Sequence, residues 1–557
     1  MERLFRSHEI RSSRECDPLW LLTTPDSSAL SRSEKVTVPG VWESHPALRN
    51  YRGRGVYEQS IYCGGNVRFS FAGVSIHASV FLDGQQIAEH YGAYTGFEAI
   101  VPHVSRGKHL LTVEADNRFD AGFALDFPND YYAYGGINRP VTVEELADTY
   151  ISSFRITPFM VDGIWTAKGD VHVRNLAGSS RSIKVCISVA GAKAEEQITV
   201  PAGEEQTVSF ILTCNDVSPW SPEDPVLYTA EAVLYDGERP VDDQIERIGF
   251  REIRISGKQI LLNGSPLRLR GFNRHEEVAD HGSAVPLSAM YRDIQLMRDM
   301  GANCVRTCHY PNDPRFLDLC DETGMLVWEE SHARGLSEEQ MRHPLFMEQI
   351  LRSTEEMIDR DYNHPSVFIW GILNECSDDT EYGAACYREI FSLIRRKDPS
   401  RPVTSALLER AGGIVYNALD VVSFNLYPQW YSDKTVNDAI RVKQDECDAR
   451  GGANKPVIIS EIGAGAIYGY HDPLGESKWS EERQAAILRE QLSAVLSDKD
   501  ITGVFLWQFA DVRVSEEWAM KRPRTFNNKG VVDEYRRPKL TYQLVKEIYH
   551  NDAEVHD

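Results

Sequence analysis

No apolar run in this 557-residue chain approaches the ~20 residues that cross a bilayer. The opening segment MERLFRSHEIRSSRECD also has no apolar stretch of the length a secretory leader uses. Cationic charge is scarce: 60 Lys and Arg stand against 83 Asp and Glu, a formal charge of −23. Nucleic acids and anionic membrane surfaces select basic patches, so neither is an expected partner. An anionic small substrate stays admissible, because a local cationic pocket can sit inside a global negative field. The ten cysteines are scattered, several within apolar runs (Cys186, Cys304, Cys320), as reduced buried thiols would be. Cys304, Cys308 and His309 read C-x3-C-H rather than the two-residue gap of metal and haem sites, so no metal is expected there. There is no low-complexity segment and no repeat of fixed period. These absences leave an ordinary cytoplasmic globular protein, 42% hydrophobic and 26% charged, too long for one core and expected to form about three domains.

The texture of the chain changes twice. Residues 1–148 carry alternating strand patterns (VRFSFAGV, ASVFLDGQQIAEH, HLLTVEAD) punctuated by Asp83-Gly84, Arg106-Gly107 and Gly64-Gly65, which predicts a jelly-roll β-sandwich. Residues 149–253 hold about seven shorter strands in about 100 residues, the pattern of an immunoglobulin-like sandwich. From 254 to 557, eight short apolar strands alternate with amphipathic helices, which predicts a (β/α)8 barrel. The strands are placed at 267–272, 303–308, 325–330, 367–374, 402–407, 421–426, 457–460 and 503–509.

A barrel of this kind presents its functional residues at the C-terminal ends of its strands. Polar residues do gather there: Asn273 and His275, His309, Glu330 and His332, Asn374 and Glu375, Asn425 and Tyr427, Glu461, and Trp507. The fourth strand (VFIWGILNE) and the seventh (VIISE) are apolar runs that each end in a carboxylate. A buried strand tolerates an acid poorly, so such an acid belongs at a mouth where chemistry occurs. Two facing carboxylates, Glu375 and Glu461, are the arrangement that cleaves a glycosidic bond by acid/base and nucleophilic catalysis. Asn374 is placed to bond a sugar 2-hydroxyl.

The segments RGFNRHEE, GANCVRTCHYPNDPRFLDLCDETGMLVWEE, DYNHPSVFIWGILNE and VIISEIGA resemble glycoside hydrolase family 2, which includes β-galactosidases, β-mannosidases and β-glucuronidases. The resemblance covers essentially the whole chain. It implies Glu375 as acid/base, Glu461 as nucleophile and no cofactor. RPRTFNNKGVV resembles the Asn-x-Lys signature of the family's β-glucuronidases, which implies Asn527 and Lys529 as ligands of a sugar carboxylate. An ammonium and an amide supply charge-assisted hydrogen bonds that a neutral hexose does not exploit. Arg524, at the end of the basic run KRPR, is a further candidate for the substrate. By the same resemblance Asp130 in NDYYAYGGINRP, Asn425, Tyr427, Tyr431 and Trp507 are candidates to hold the sugar, and His309, at the end of the second strand, is a further one.

The third-strand loop departs from the family pattern. Small apolar residues usually follow the Glu there, whereas this chain reads Glu330-Ser-His332-Ala-Arg334-Gly335. An Arg at the rim is a rigid, permanently charged fork. It is placed to reach the carboxylate or the C4 hydroxyl, which makes a β-galacturonidase a rival to a β-glucuronidase. Only about nine residues then precede a helix near Pro344, which predicts an open leaving-group site. The expectation is a β-hexuronidase acting on a small-molecule or oligosaccharide uronide, in a homo-oligomer. A β-galactosidase or β-mannosidase and a non-catalytic carbohydrate-binding protein are the alternatives.

Overall fold

The computed structural model describes residues 3–27, 30, 32–120, 122–409 and 412–556. The first domain is built on two long antiparallel strands, Arg54–Phe71 and Phe97–Asp116, that pair along most of their length. Their register shifts around Gly65, whose φ of 86° favours glycine, and such a bulge bends the pair so that it serves both layers of a sandwich. Alternate residues face a core of Trp20, Phe69, Val80 and Val113. The second domain packs a three-stranded sheet on a four-stranded one over Ile151, Val171, Val185 and Ala232, giving the seven-stranded sandwich that its alternation predicts.

The third domain is the barrel. Its parallel strands are Leu269–Arg274, Cys304–Thr307, Leu326–Glu330, Val367–Gly371, a fifth split into Val403–Thr404 and Ala406–Leu407, then Val422–Asn425, Val457–Ile462 and Ile501–Leu506. The split strand closes the ring, one half pairing with the fourth strand and the other with the sixth. Helices cover the outside because their apolar stripes must be buried against the strands. Their starts are locally encoded: Asp313 accepts Arg315 N, Thr380 accepts Gly383 N and Ser480 accepts Arg483 N. Gly324 ends one helix at φ 72°, where a Cβ would lie 2.2 Å from the Pro222 carbonyl of the second domain. Two details differ from the sequence reading. A one-turn helix, Glu338–Met341, closed by a Ser337/Gln340 capping box, occupies what reads as loop, and the following helix starts at Phe346. The fifth strand leads to the sixth without a helix of its own among the described residues.

What positions the site is the docking of the first domain over the barrel mouth. Arg139, 1% exposed, donates to Glu276 and to the Pro311 carbonyl, each at 2.7 Å. The segment 122–135 thereby reaches the C-terminal ends of the strands, with Tyr131 4.9 Å from the His275 ring and Tyr94 stacked at 3.6 Å on Tyr310.

Candidate active site

The floor of the mouth is organised by Arg306, a residue on the second strand that points into the barrel and is fully buried. Its guanidinium donates to both oxygens of Glu330 (2.9 and 2.7 Å), to Asn273 (2.9 Å), to Asn374 (2.9 Å) and to Glu461 (3.1 Å). A buried cation survives only with such pairing, and here the pairing is complete. The network fixes both candidate carboxylates. Glu461 accepts from Arg306 and from the Tyr427 hydroxyl at 2.6 Å. Glu375 accepts from Asn425 Nδ2 at 3.0 Å, and the same amide reaches Asn374 at 3.1 Å while Ser460 Oγ holds its oxygen at 2.8 Å. Leu373 and Glu375 both have positive φ, 49° and 52°. Non-glycine residues in that region cost energy and cluster at functional sites, so the fourth strand is bent to turn its acid into the mouth.

Electrostatics couple the two acids. Burial and the facing Glu375 charge push Glu461 up to about 7, against the pull of Arg306, Tyr427 and Arg334. The facing carboxylate thus disfavours the charged form of Glu461, so its titration belongs to the pair and not to one residue. His309 and His275 beside them stay neutral. Burial, helped by Arg306, keeps His309 well below its usual range, and burial with Arg334 pushes His275 down to about 3. His309 lies flat on Trp507, ring centres 5.1 Å apart, which builds an aromatic wall beside the acids.

The rim is made of loops. Asp130 accepts Arg522 Nε at 2.8 Å and a second bond from Arg522 Nη2, and Asn527 Nδ2 at 3.1 Å. Burial would raise its carboxyl, but Arg522, Lys529 and Arg334 outweigh that and hold it below the usual carboxylate range. The Lys529 ammonium lies 5.5 Å from the Tyr427 ring centre and 5.2 Å from that of Tyr431. Burial opposes ionisation of the Tyr431 hydroxyl, yet Lys529 and Arg522 bring it below its ordinary value. Arg334 donates to Asn129 Oδ1 and places its other nitrogen 3.7 Å from Glu375. Three cations thus surround one acid, a local positive field inside a strongly acidic protein. Several buried polar atoms here have no protein partner: Tyr131 Oη, His275 Nε2, Asn374 Nδ2, Asn527 Oδ1 and Arg334 Nε. Buried polar groups are normally bonded, so atoms left over in one mouth mark the surface offered to a polar ligand.

Of the residues proposed from sequence, Glu375, Glu461, Asn374, Asn425, Tyr427, His309 and Trp507 meet on the floor, and Asp130, Arg334, Tyr431, Asn527 and Lys529 meet on the rim. Arg524 does not join them. Positive φ at Arg524 and Thr525 turns the chain outward, and its guanidinium pairs with Glu534 over the Phe526 ring. Arg522, two residues earlier, takes the place expected of it. Arg306 is the residue that sequence reading passes over, although a charge inside the apolar run NCVRTC is a visible anomaly.

Other clusters do not compete. A cleft of about 830 Å³ lies where the three domains meet, but its arginines Arg11, Arg68 and Arg155 are paired with Asp242, Glu144 and Asp359. Asp318, Asp321 and His364 are the one group of metal-ligand type among the described residues. Arg3 already donates to Asp318, and Ser366 N to Asp321, so a cation and a backbone donor serve those acids.

A barrel whose fourth and seventh strands present coupled carboxylates beside an aromatic wall is the active site of a glycoside hydrolase. Comparison with known proteins narrows this. Residues 253–553 match the family model "Glycosyl hydrolases family 2, TIM barrel domain", and residues 149–251 match "Glycosyl hydrolases family 2". The chain belongs to glycoside hydrolase family 2. It is 27% identical over 518 residues to the β-glucuronidase of Sus scrofa, an alignment covering 85% of this chain and 76% of the relative. The structure superposes on a family 2 β-galacturonidase from Eisenbergiella tayi bound to galacturonate with a TM-score of 0.97 and 47% identity, covering 99% of both chains. It superposes on the β-D-glucuronidase of Dictyoglomus thermophilum with a TM-score of 0.85 and 25% identity, covering 98% of both.

Proposed function

We propose that the protein is a retaining exo-β-hexuronidase that removes terminal β-linked galacturonate in preference to glucuronate. The observation that carries the reading is the cationic rim, Lys529, Arg522 and Arg334 with Asn527, set directly beside the coupled Glu375 and Glu461. A uronate carboxylate answers that surplus charge, and a neutral hexose does not. The likeness to the Eisenbergiella tayi enzyme and the Arg334 fork beside Glu375 support the galacturonate epimer.

In this reading Glu375 gives its proton to the glycosidic oxygen while Glu461 attacks the anomeric carbon. The bond to the leaving group breaks and an ester to Glu461 forms. Glu375, now ionised, takes a proton from water, whose oxygen attacks the same carbon, releasing the uronic acid and regenerating Glu461. Arg306 and Tyr427 hold Glu461 in line, and their two hydrogen bonds stabilise the carboxylate as it leaves. The test is to assay aryl β-galacturonide, β-glucuronide and β-galactoside side by side. The order expected is galacturonide, then glucuronide, with the galactoside far behind. Preference for the neutral sugar sinks the reading of the rim.

A further inference from the structure

The loop 117–135 brings Asn129, Asp130 and Tyr131 of the first domain to the barrel mouth, and both of its ends converge on one buried acid. Glu43, 2% exposed, sits on the one-turn helix Trp42–Ser44. Gly135 N donates to its two oxygens at 3.1 Å each, and Asn117 Nδ2 donates to Oε1 at 3.3 Å. The Gly135 carbonyl in turn accepts Trp42 N at 3.1 Å. Arg52 adds a second tie, donating from Nη1 to the carbonyls of Asn117 and Ala133 at 3.3 Å each. Only glycine fits the closure, because a Cβ at 135 would lie 1.9 Å from the Trp42 ring. None of the contacts of Glu43 reaches the carboxylate pair. Burying a carboxyl is costly, and nothing in the proposed chemistry uses this one.

We propose that Glu43 is a positioning residue for substrate binding: its carboxyl closes the base of the loop 117–135 and so sets where Asp130 and Tyr131 enter the mouth. The inference rests on the reading of that mouth as the sugar site. Burial pushes the carboxyl up to about 8, against the backbone hydrogen bonds it accepts and the Arg513 and Arg52 charges, which favours the neutral acid at pH 7. Glutamine has the same size and keeps an acceptor oxygen.

The experiment compares Glu43→Ala, Glu43→Gln and Gly135→Ala with the unmodified enzyme on an aryl β-galacturonide at pH 7, with thermal midpoints measured alongside. A misplacement of about 1 Å at a binding group costs up to ~10²-fold, so KM is expected to rise at least about tenfold in Glu43→Ala and Gly135→Ala, with kcat within about threefold. Glu43→Gln is expected to restore KM to within about threefold of the unmodified enzyme. If Glu43→Ala does not fold, Glu43→Asp, which keeps the carboxyl but withdraws it, is read in its place. An unchanged KM in the folded Ala or Asp variant overturns the proposal, and so does a Gln variant no better than Ala. An unmodified enzyme inactive on every uronide overturns the functional reading instead, a result distinguishable from either.

Discussion

The floor and the rim of the mouth are built on opposite principles. Floor residues lie in or just after the barrel strands, and most of their hydrogen bonds close among themselves: Arg306 alone ties Glu330, Asn273, Asn374 and Glu461, and Asn374 Nδ2 is left over. Rim residues come from loops of two domains, and they leave donors and acceptors unused, Tyr131 Oη, Asn527 Oδ1 and Arg334 Nε among them. A nearly closed network on a rigid scaffold holds reacting groups in place, while open-ended loops recognise what varies between substrates. Chemistry and selection are therefore separable in this molecule, and substitutions in the two regions should fail in different ways.

The largest expected effect is on the floor. Glu461→Gln should lower kcat by at least roughly 10³-fold on galacturonide and glucuronide alike, with Tm nearly unchanged. A loss confined to one epimer would place that residue in selection instead. Arg306→Ala should lower both activity and stability, because it leaves Glu330 buried without its cation, beside His309 alone, at a cost of about 3–5 kcal/mol, measurable by denaturant unfolding. On the rim, Lys529→Met should reduce kcat/KM for uronides on the order of 10²-fold and leave the slow galactoside reaction unaffected. Arg334→Ala should act least, narrowing the galacturonide-to-glucuronide ratio by about tenfold.

The pH profile separates the regions in another way. Because ionised Glu375 is one cause of the raised value, the step near about 7 adds a proton to the doubly ionised pair. Below it the pair holds the one proton that catalysis needs. Above it both acids are ionised and no general acid is left, so kcat/KM should fall as pH rises through about 7. In Glu375→Gln, assayed with a leaving group that needs no protonation, the sign should reverse. Activity should then rise with pH as Glu461 ionises and reach a plateau. The same alkaline fall in that variant would assign the limb to another group.

Much of this division was legible in the sequence. The alternation of eight apolar runs with amphipathic helices marked the barrel, and strand-end polar residues marked its functional face, because strand period and barrel polarity are local consequences of side-chain pattern. Glu375 and Glu461 were readable as a pair for that reason. Arg306 was not, since its role comes from four partners on or just after other strands that no local pattern announces. The rim was harder still. Asp130 and Asn527 lie 397 positions apart and meet only because the first domain docks on the barrel. Arg522 and Arg524 share one basic run, and only the positive φ of Arg524 and Thr525 decides which of them faces the mouth.

The separation of chemistry from selection is tested most directly by one ratio, kcat/KM for aryl β-galacturonide over aryl β-galactoside, measured in the unmodified enzyme and in Lys529→Met. The ratio is predicted to exceed about 10² in the first and to collapse toward unity in the second, through loss of the uronide reaction alone. An unchanged ratio, or equal loss on both sugars, would contradict the account.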